Sequence, residues 1–204
     1  MAEPIKTHTF DDSIEQMNVI DEPIQTEASP KPFAVYTICG CGGGNAGPNY
    51  SYVKLKSLLE KHNVDVYLLE TVPNHISLNV AYMMKEITAN IDKYSKIYLI
   101  GWSMGGAVVS QVAYFINKFI RPEYVAGIIY LASQGADNQL FYFLECNVIL
   151  IHGELDSVIP VKVSQIRHDK FHGKQKNLII LSEQGHDFSH ESSDIAEIMY
   201  SLFF

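Results

Sequence analysis

A strand pattern that breaks into a glycine-flanked serine and then into a helix restricts the fold of this chain more than any other feature. Residues 97–106 read Ile-Tyr-Leu-Ile-Gly-Trp-Ser-Met-Gly-Gly, so a short apolar strand ends at the turn Gly101-x-Ser103-x-Gly105. Glycine lacks a Cβ, which lets the strand and helix backbones approach closely around a strained serine. The pattern predicts a strand–turn–helix unit that lifts the Ser103 hydroxyl above one edge of a sheet.

Strand and helix patterns alternate along most of the chain. Strands are predicted near 33–39 and 64–70, in the run leading to Ser103, and near 125–131, 147–152 and 177–182. Helices are predicted near 50–62, 77–93, 104–119 and 161–171, and from about 190 to the end. Such alternation predicts an α/β fold with about six mostly parallel strands and helices on both faces.

Composition favours one folded domain with an N-terminal arm. The chain has 204 residues, of which 47% are hydrophobic and 19% charged, enough to bury one substantial core. Residues 1–32 carry seven acidic and two basic side chains and several prolines without a clear period. We therefore predict an irregular acidic arm over 1–32 and a single domain over 33–204.

Charge and cysteine usage exclude several classes of protein. A net charge of −8 argues against nucleic acid as a partner, because phosphate binding needs a basic face. No signal-peptide pattern is visible, and no run of about 18 apolar residues predicts a membrane span. The three cysteines cannot all pair within the chain, which favours a reduced, cytoplasmic protein.

A serine is a weak nucleophile at neutral pH unless a base and an orienting acid accompany it. Residues 147–160 read Asn-Val-Ile-Leu-Ile-His-Gly-Glu-Leu-Asp-Ser-Val-Ile-Pro, an apolar strand ending in a loop that carries Asp156. His186 comes just after the next predicted strand. Loops that follow parallel strands meet at one edge of the sheet, so Ser103, Asp156 and His186 can converge there.

Together the three segments resemble the α/β-hydrolase superfamily over roughly 33–204. They are Gly-Trp-Ser-Met-Gly-Gly, His-Gly-Glu-Leu-Asp-x-Val-Ile-Pro and Gly-His-Asp-Phe, in the chain order Ser, Asp, His that accompanies this type of turn. The resemblance implies the α/β-hydrolase fold, a Ser103–Asp156–His186 triad and acyl-enzyme chemistry on esters or thioesters. Only about sixteen residues separate the fourth and fifth predicted strands, so the cap common in relatives is minimal or missing.

Two of the triad assignments have competitors. Some members of the superfamily take the acid from the loop after the preceding strand, where this chain has Asp137. His190 is a second candidate for the base, and His152 has a structural role beneath the acid loop in relatives.

The resemblance also requires an oxyanion hole, made of backbone N–H groups aimed at the developing negative charge. The N–H of Met104 is one predicted donor. The second is expected from Cys41, with Gly42 as the alternative, in the glycine-rich loop after the first strand. This loop lacks the motifs of phosphate-binding loops, and the cysteine spacing is not that of a zinc site. No metal or cofactor is expected.

Aromatic residues are the candidates for lining a substrate pocket. Trp102 adjoins the nucleophile, and Phe141 and Phe143 lie in an apolar run that either overhangs the serine or forms a core-facing helical turn. The sequence thus predicts a serine hydrolase of the carboxylesterase or thioesterase type, acting on a small ester or a carrier-bound acyl group. A catalytically silent binding protein with the same fold is the alternative. The motifs specify neither the substrate nor the oligomeric state.

Overall fold

Six parallel strands form a single sheet in the computed structural model, which describes residues 31–133 and 139–204. Their order across the sheet is β2-β1-β3-β4-β5-β6, and every neighbouring pair is parallel. The strands are β1 (Lys31–Ile38), β2 (Asp65–Leu69), β3 (Tyr94–Trp102), β4 (Val125–Leu131), β5 (Asn147–Gly153) and β6 (Lys176–Leu181).

Helices cover both faces of this sheet. The α-helices are α1 (Ser51–Leu59), α2 (Ile76–Ala89), α3 (Gly105–Phe115), α4 (Lys162–Lys170) and α5 (Ile195–Ser201). Shorter 3-10 turns occupy Pro48–Tyr50, Glu60–His62, Ile91–Lys93 and Gln139–Phe143, and a π turn occupies Ile116–Ile120. Side chains of α2 and α3 bury one face of the sheet, and side chains of α1 and α5 bury the other.

The central strands are apolar because both of their faces are covered. In β4 all residues but Ala126 are buried, and alternate side chains enter the two opposite cores. The edge strand β6 is only half-buried, since β5 is its single neighbour. The loop after the central strand β3 is therefore expected to be more rigid than the loop after the edge strand β6.

The predicted α/β architecture of mostly parallel strands with helices on both faces is confirmed. β1 begins at Lys31, two residues before the predicted domain boundary, and the rest of the predicted arm, residues 1–30, lies outside the described residues. The last helix starts later than predicted. Asp194 caps it by accepting from the N–H of Ala196, while Gln184 bonds the peptide of His190 in the preceding loop. None of the helices in the described ranges has the length and apolarity needed to cross a membrane.

No cap domain is seen in the described residues between β4 and β5, where Gln139–Phe143 is the only helical element. Phe141 is 0% exposed and packs against Tyr130 and Phe171 in the core. Phe143, two residues on, is 65% exposed. Of the two interpretations of this apolar run, the core-facing turn is the one that the structure adopts.

Truncation of these two phenylalanines should have opposite outcomes. Phe141→Ala removes a fully buried ring, and we expect the free energy of unfolding to fall by about 3–5 kcal/mol. Phe143→Ala is the matched control, and because its ring is exposed the change should stay within about 0.5 kcal/mol. Urea denaturation of both variants measures this difference, and equal losses would contradict the burial of Phe141.

Candidate active site

Ser103 lies on a sharp turn between β3 and α3, with a positive φ of 55° that is unfavourable for a residue with a side chain. Its N–H donates to the carbonyl of Leu131, 3.0 Å away, which ties the turn to β4. A Cβ on Gly101 would come within 2.5 Å of the Gly105 carbonyl oxygen, and a Cβ on Gly105 within 2.6 Å of the Ile38 carbonyl oxygen. The two flanking glycines are therefore required by close backbone contacts.

The glycine-rich loop after β1 lies directly against this turn. A Cβ on Gly40 would stand 2.7 Å from the Cβ of Ser103. The loop is held at both ends by Thr71: the N–H of Cys39 donates to Thr71 Oγ1 over 3.0 Å, and the N–H of Thr71 donates to the Gly44 carbonyl over 3.1 Å. The N–H groups between these anchors are thereby kept beside the serine. Sequence reasoning missed Thr71, because its contacts are distant in the chain.

Asp156 and His186 meet at the same edge of the sheet. Nδ1 of His186 lies 2.8 Å from Asp156 Oδ2, and the carboxylate of Asp156 is fully buried. Its other oxygen accepts from the N–H groups of Val158 and Ile159, each at 2.8 Å. These bonds compensate the loss of water around the carboxylate and fix its orientation. With Nδ1 donating to Asp156, Nε2 of His186 is left as the basic nitrogen.

The loops that carry Asp156 and His186 are bonded to each other. The N–H of Leu155 donates to the Gln184 carbonyl over 2.9 Å, and a Cβ on Gly153 would meet that same carbonyl oxygen. Trp102 connects the serine turn to this assembly, since its Nε1–H donates to the His186 carbonyl over 3.0 Å. The indole and imidazole rings are also in contact, with centroids 5.5 Å apart.

An open cavity of about 360 Å³ lies over Ser103. It brings together five of the predicted site residues with three that were not predicted. The predicted ones are Ser103, His186, Trp102, Cys41 and Gly42, and the others are Gly40, Val158 and Ile159. Met104, the other predicted oxyanion donor, directly follows Ser103 and is buried. Val158 and Ile159 closely follow Asp156 in sequence, and this proximity was the only signal that could have identified them.

Other candidates lie elsewhere. Phe141 is in the core, and Phe143 lines a different cavity with Tyr114 and Lys118, so the structure does not bring these rings to Ser103. His190 is exposed and lines a separate polar cavity with Asn49 and other residues. Asp137, the competing acid, lies outside the described residues.

The cysteines near the site differ in environment. Burial raises the pKa of the Cys39 thiol, whose sulfur accepts from the N–H of Gly47 over 3.3 Å. Cys41 is exposed at the rim of the cavity. Within residues 31–133 and 139–204, no three His, Cys, Asp or Glu side chains are grouped so that they could hold a metal ion.

Thr71→Val should loosen the loop after β1, because it replaces the hydroxyl by a methyl group of similar size and leaves the buried N–H of Cys39 unpaired. We expect the free energy of unfolding to fall by about 1–3 kcal/mol. Amide hydrogen exchange at Cys39 should become faster, which two-dimensional NMR measures. Thr71→Ser retains the acceptor oxygen and is the control. Unchanged exchange in the valine variant would show that Thr71 does not anchor the loop.

Comparison with known proteins identifies the family of the chain and its fold. Residues 43–190 match the model of the alpha/beta hydrolase family, about three-quarters of the chain. A search of curated protein sequences finds no match to this chain.

Solved structures with a similar fold include esterases and related hydrolases. Dienelactone hydrolase from Anabaena variabilis superimposes with a TM-score of 0.69 at 15% identity, covering 85% of this chain and 86% of that one. Est1E from Butyrivibrio proteoclasticus, solved with ferulic acid bound, gives 0.67 at 14% identity, covering 88% and 90%. A monoacylglycerol lipase from Paleococcus ferrophilus gives 0.60 at 15% identity, covering 85% and 94%. Identities this low establish a common fold.

Proposed function

The chain belongs to the alpha/beta hydrolase family, and we propose that it is a serine hydrolase cleaving carboxylic esters or thioesters. In this proposal Ser103 is the nucleophile, His186 the general base and Asp156 the acid that orients the base. The resemblance seen in the sequence is confirmed at the level of the family, and the reaction is our inference from the site.

The contact between His186 and Asp156 carries the proposal. A 2.8 Å bond from Nδ1 to a buried carboxylate leaves Nε2 as the basic nitrogen of a ring that lines the same cavity as Ser103. Ser103 adopts φ 55° at a turn built on two obligatory glycines. A strained serine and an oriented imidazole at one cavity are the arrangement that acyl transfer needs.

Acylation follows from these positions. Ser103 Oγ attacks the acyl carbonyl carbon while Nε2 of His186 takes the hydroxyl proton, and Asp156 stabilises the resulting imidazolium. The oxyanion is held by the N–H of Met104 and by that of Cys41 or Gly42. The tetrahedral intermediate then expels the alcohol or thiol, which receives the proton from His186.

Deacylation repeats the same steps with water. His186 takes a proton from a water molecule, the oxygen attacks the acyl carbon, and the bond to Ser103 Oγ breaks with return of the proton to that oxygen. The cavity is open in the described structure, so water reaches the acyl-enzyme without movement of a cap.

The cavity lining favours uncharged acyl groups. Around Ser103 the described lining is glycine, tryptophan, valine, isoleucine and cysteine, and His186 is its only ionisable nitrogen base. A carboxylate on the acyl chain would find no cationic partner there and would lose its hydration. We therefore propose a neutral ester of modest size, or a neutral acyl group carried on a larger thiol, as the substrate.

Ser103→Ala tests the nucleophile. We expect a fluorophosphonate probe to label the wild type and not the variant, and hydrolysis of p-nitrophenyl butyrate to fall by about three to six orders of magnitude. The unfolding midpoint should be retained or raised, because alanine removes only a hydroxyl. Ser110→Ala is the control, since Ser110 lies on α3 and bonds Tyr130 away from the cavity.

Folded wild-type protein that neither reacts with the probe nor hydrolyses acetyl, butyryl or octanoyl esters would overturn the proposal. A catalytically silent binding protein would then be the remaining interpretation of the fold.

Asp156→Asn and Asp137→Asn together identify the triad acid. The amide introduced by Asp156→Asn would hold His186 in the wrong tautomer, so kcat should fall by about 10⁴-fold. Asp137→Asn should leave kcat within about threefold of the wild type, a difference below about 1 kcal/mol in the barrier. Steady-state kinetics with the same ester decide the question, and the reverse order of effects would assign the acid to Asp137.

A further inference from the structure

A second histidine contacts the carboxylate that orients the base. His152, at the end of β5, is 0% exposed. Its Nε2 lies 3.1 Å from Asp156 Oδ2, the same oxygen that His186 contacts at 2.8 Å. Asp156 therefore contacts two imidazole rings, and only that of His186 takes part in the proposed reaction.

The partners of His152 determine where its hydrogen is. Nε2 lies 2.8 Å from the carbonyl oxygen of Ile159, which can only accept, so Nε2 carries the hydrogen. Nδ1 lies 2.7 Å from Ser164 Oγ on α4, and the serine hydroxyl donates to it. The Nε2–H group is thus bonded to the Ile159 carbonyl, and Asp156 Oδ2 lies 3.1 Å from the same nitrogen, close to the positive end of this N–H dipole.

We propose that His152 is a positioning residue that weakens the hold of Asp156 on the protonated His186. This inference rests on the proposed function. A positive dipole 3.1 Å from Oδ2 withdraws negative charge from the oxygen that faces His186. The imidazolium formed during acylation is then stabilised less, so the base returns its proton to the leaving group more readily. His152 acts through Asp156 and has no contact with the substrate.

No other charged group around Asp156 is placed for this role in the described residues. Glu154, on the same loop, and Asp187, next to the base, are exposed, and Asp187 bonds Ser189. Cys41 is exposed at the cavity rim, and Arg167 of α4 is directed to Ser133. His152 is thus the titratable group, besides His186, in direct contact with the acid.

Two variants distinguish the effect of the Nε2–H group of His152 from the effect of removing its ring. His152→Gln places an amide N–H near the position of Nε2, whereas His152→Asn reaches only the position of Nδ1. The readout is the NMR titration of the His186 ring, which can be followed without turnover. The ring signal of His186 is assigned by its disappearance in His186→Gln. His172→Asn, at an exposed histidine beyond α4, is the control for the loss of an imidazole.

In His152→Asn the titration midpoint of His186 should move up by about 0.5–1 pH unit, because the N–H dipole beside Asp156 Oδ2 is lost. His152→Gln should remain closer to the wild type. The acidic limb of the pH profile of kcat/KM should also move to higher pH in His152→Asn. A purely structural role predicts the opposite sign, because a displaced Asp156 would support the imidazolium less.

A midpoint that is unchanged or lower in the folded asparagine variant, or equally raised in both variants, overturns the inference. If neither variant folds, Ser164→Ala replaces them. It removes the hydroxyl that polarises His152, so a smaller upward shift is expected and an unchanged midpoint overturns the inference. If the folded wild type does not react with the fluorophosphonate probe, the proposed function is wrong. The titration of His186 tests the role of His152 independently of that result.

Discussion

The close contact between the first turn of α3 and the end of β1 is the constraint on which the site depends. Only a glycine at 105 lets the helix backbone lie against the carbonyl of Ile38. That approach sets Ser103 at the top of the sheet and brings the loop after β1 alongside it. The parallel arrangement of the strands then delivers Asp156 and His186 to the same edge from β5 and β6. Strain at the serine is sustained because closely packed backbone surrounds it.

Much of this arrangement was predictable because its signals are local. The apolar run of β4 was predicted as 125–131 and is Val125–Leu131, since a strand buried on both faces has few alternatives. The strand–turn–helix unit at Ser103 was predicted for a similar reason, because two glycines and a serine at this spacing permit few backbone conformations. The convergence of Ser103, Asp156 and His186 at one edge of the sheet was expected from the alternation of strands and helices, because loops after parallel strands meet there.

Features that depend on contacts between distant segments were not predictable. Thr71 anchors the loop after β1 from more than thirty residues away, and nothing around it in sequence indicates this contact. The apolar run at Phe141 fits a pocket wall and a core turn equally well, because both need the same hydrophobic residues. The late start of α5 reflects hydrogen bonds from Gln184 that compete with helix formation.

The placement of β6 at the edge of the sheet affects the order in which parts of the molecule unfold. Its backbone is paired on one side only, so it opens at a lower free energy than β3 in the centre. His186 lies on the loop that follows this edge strand, whereas Ser103 lies on the turn between the central strand β3 and α3. Brief fraying of the edge should therefore move His186 away from Ser103 while the rest of the fold persists. On gradual heating, the contact between His186 and Asp156 should open before the cooperative melting of the sheet.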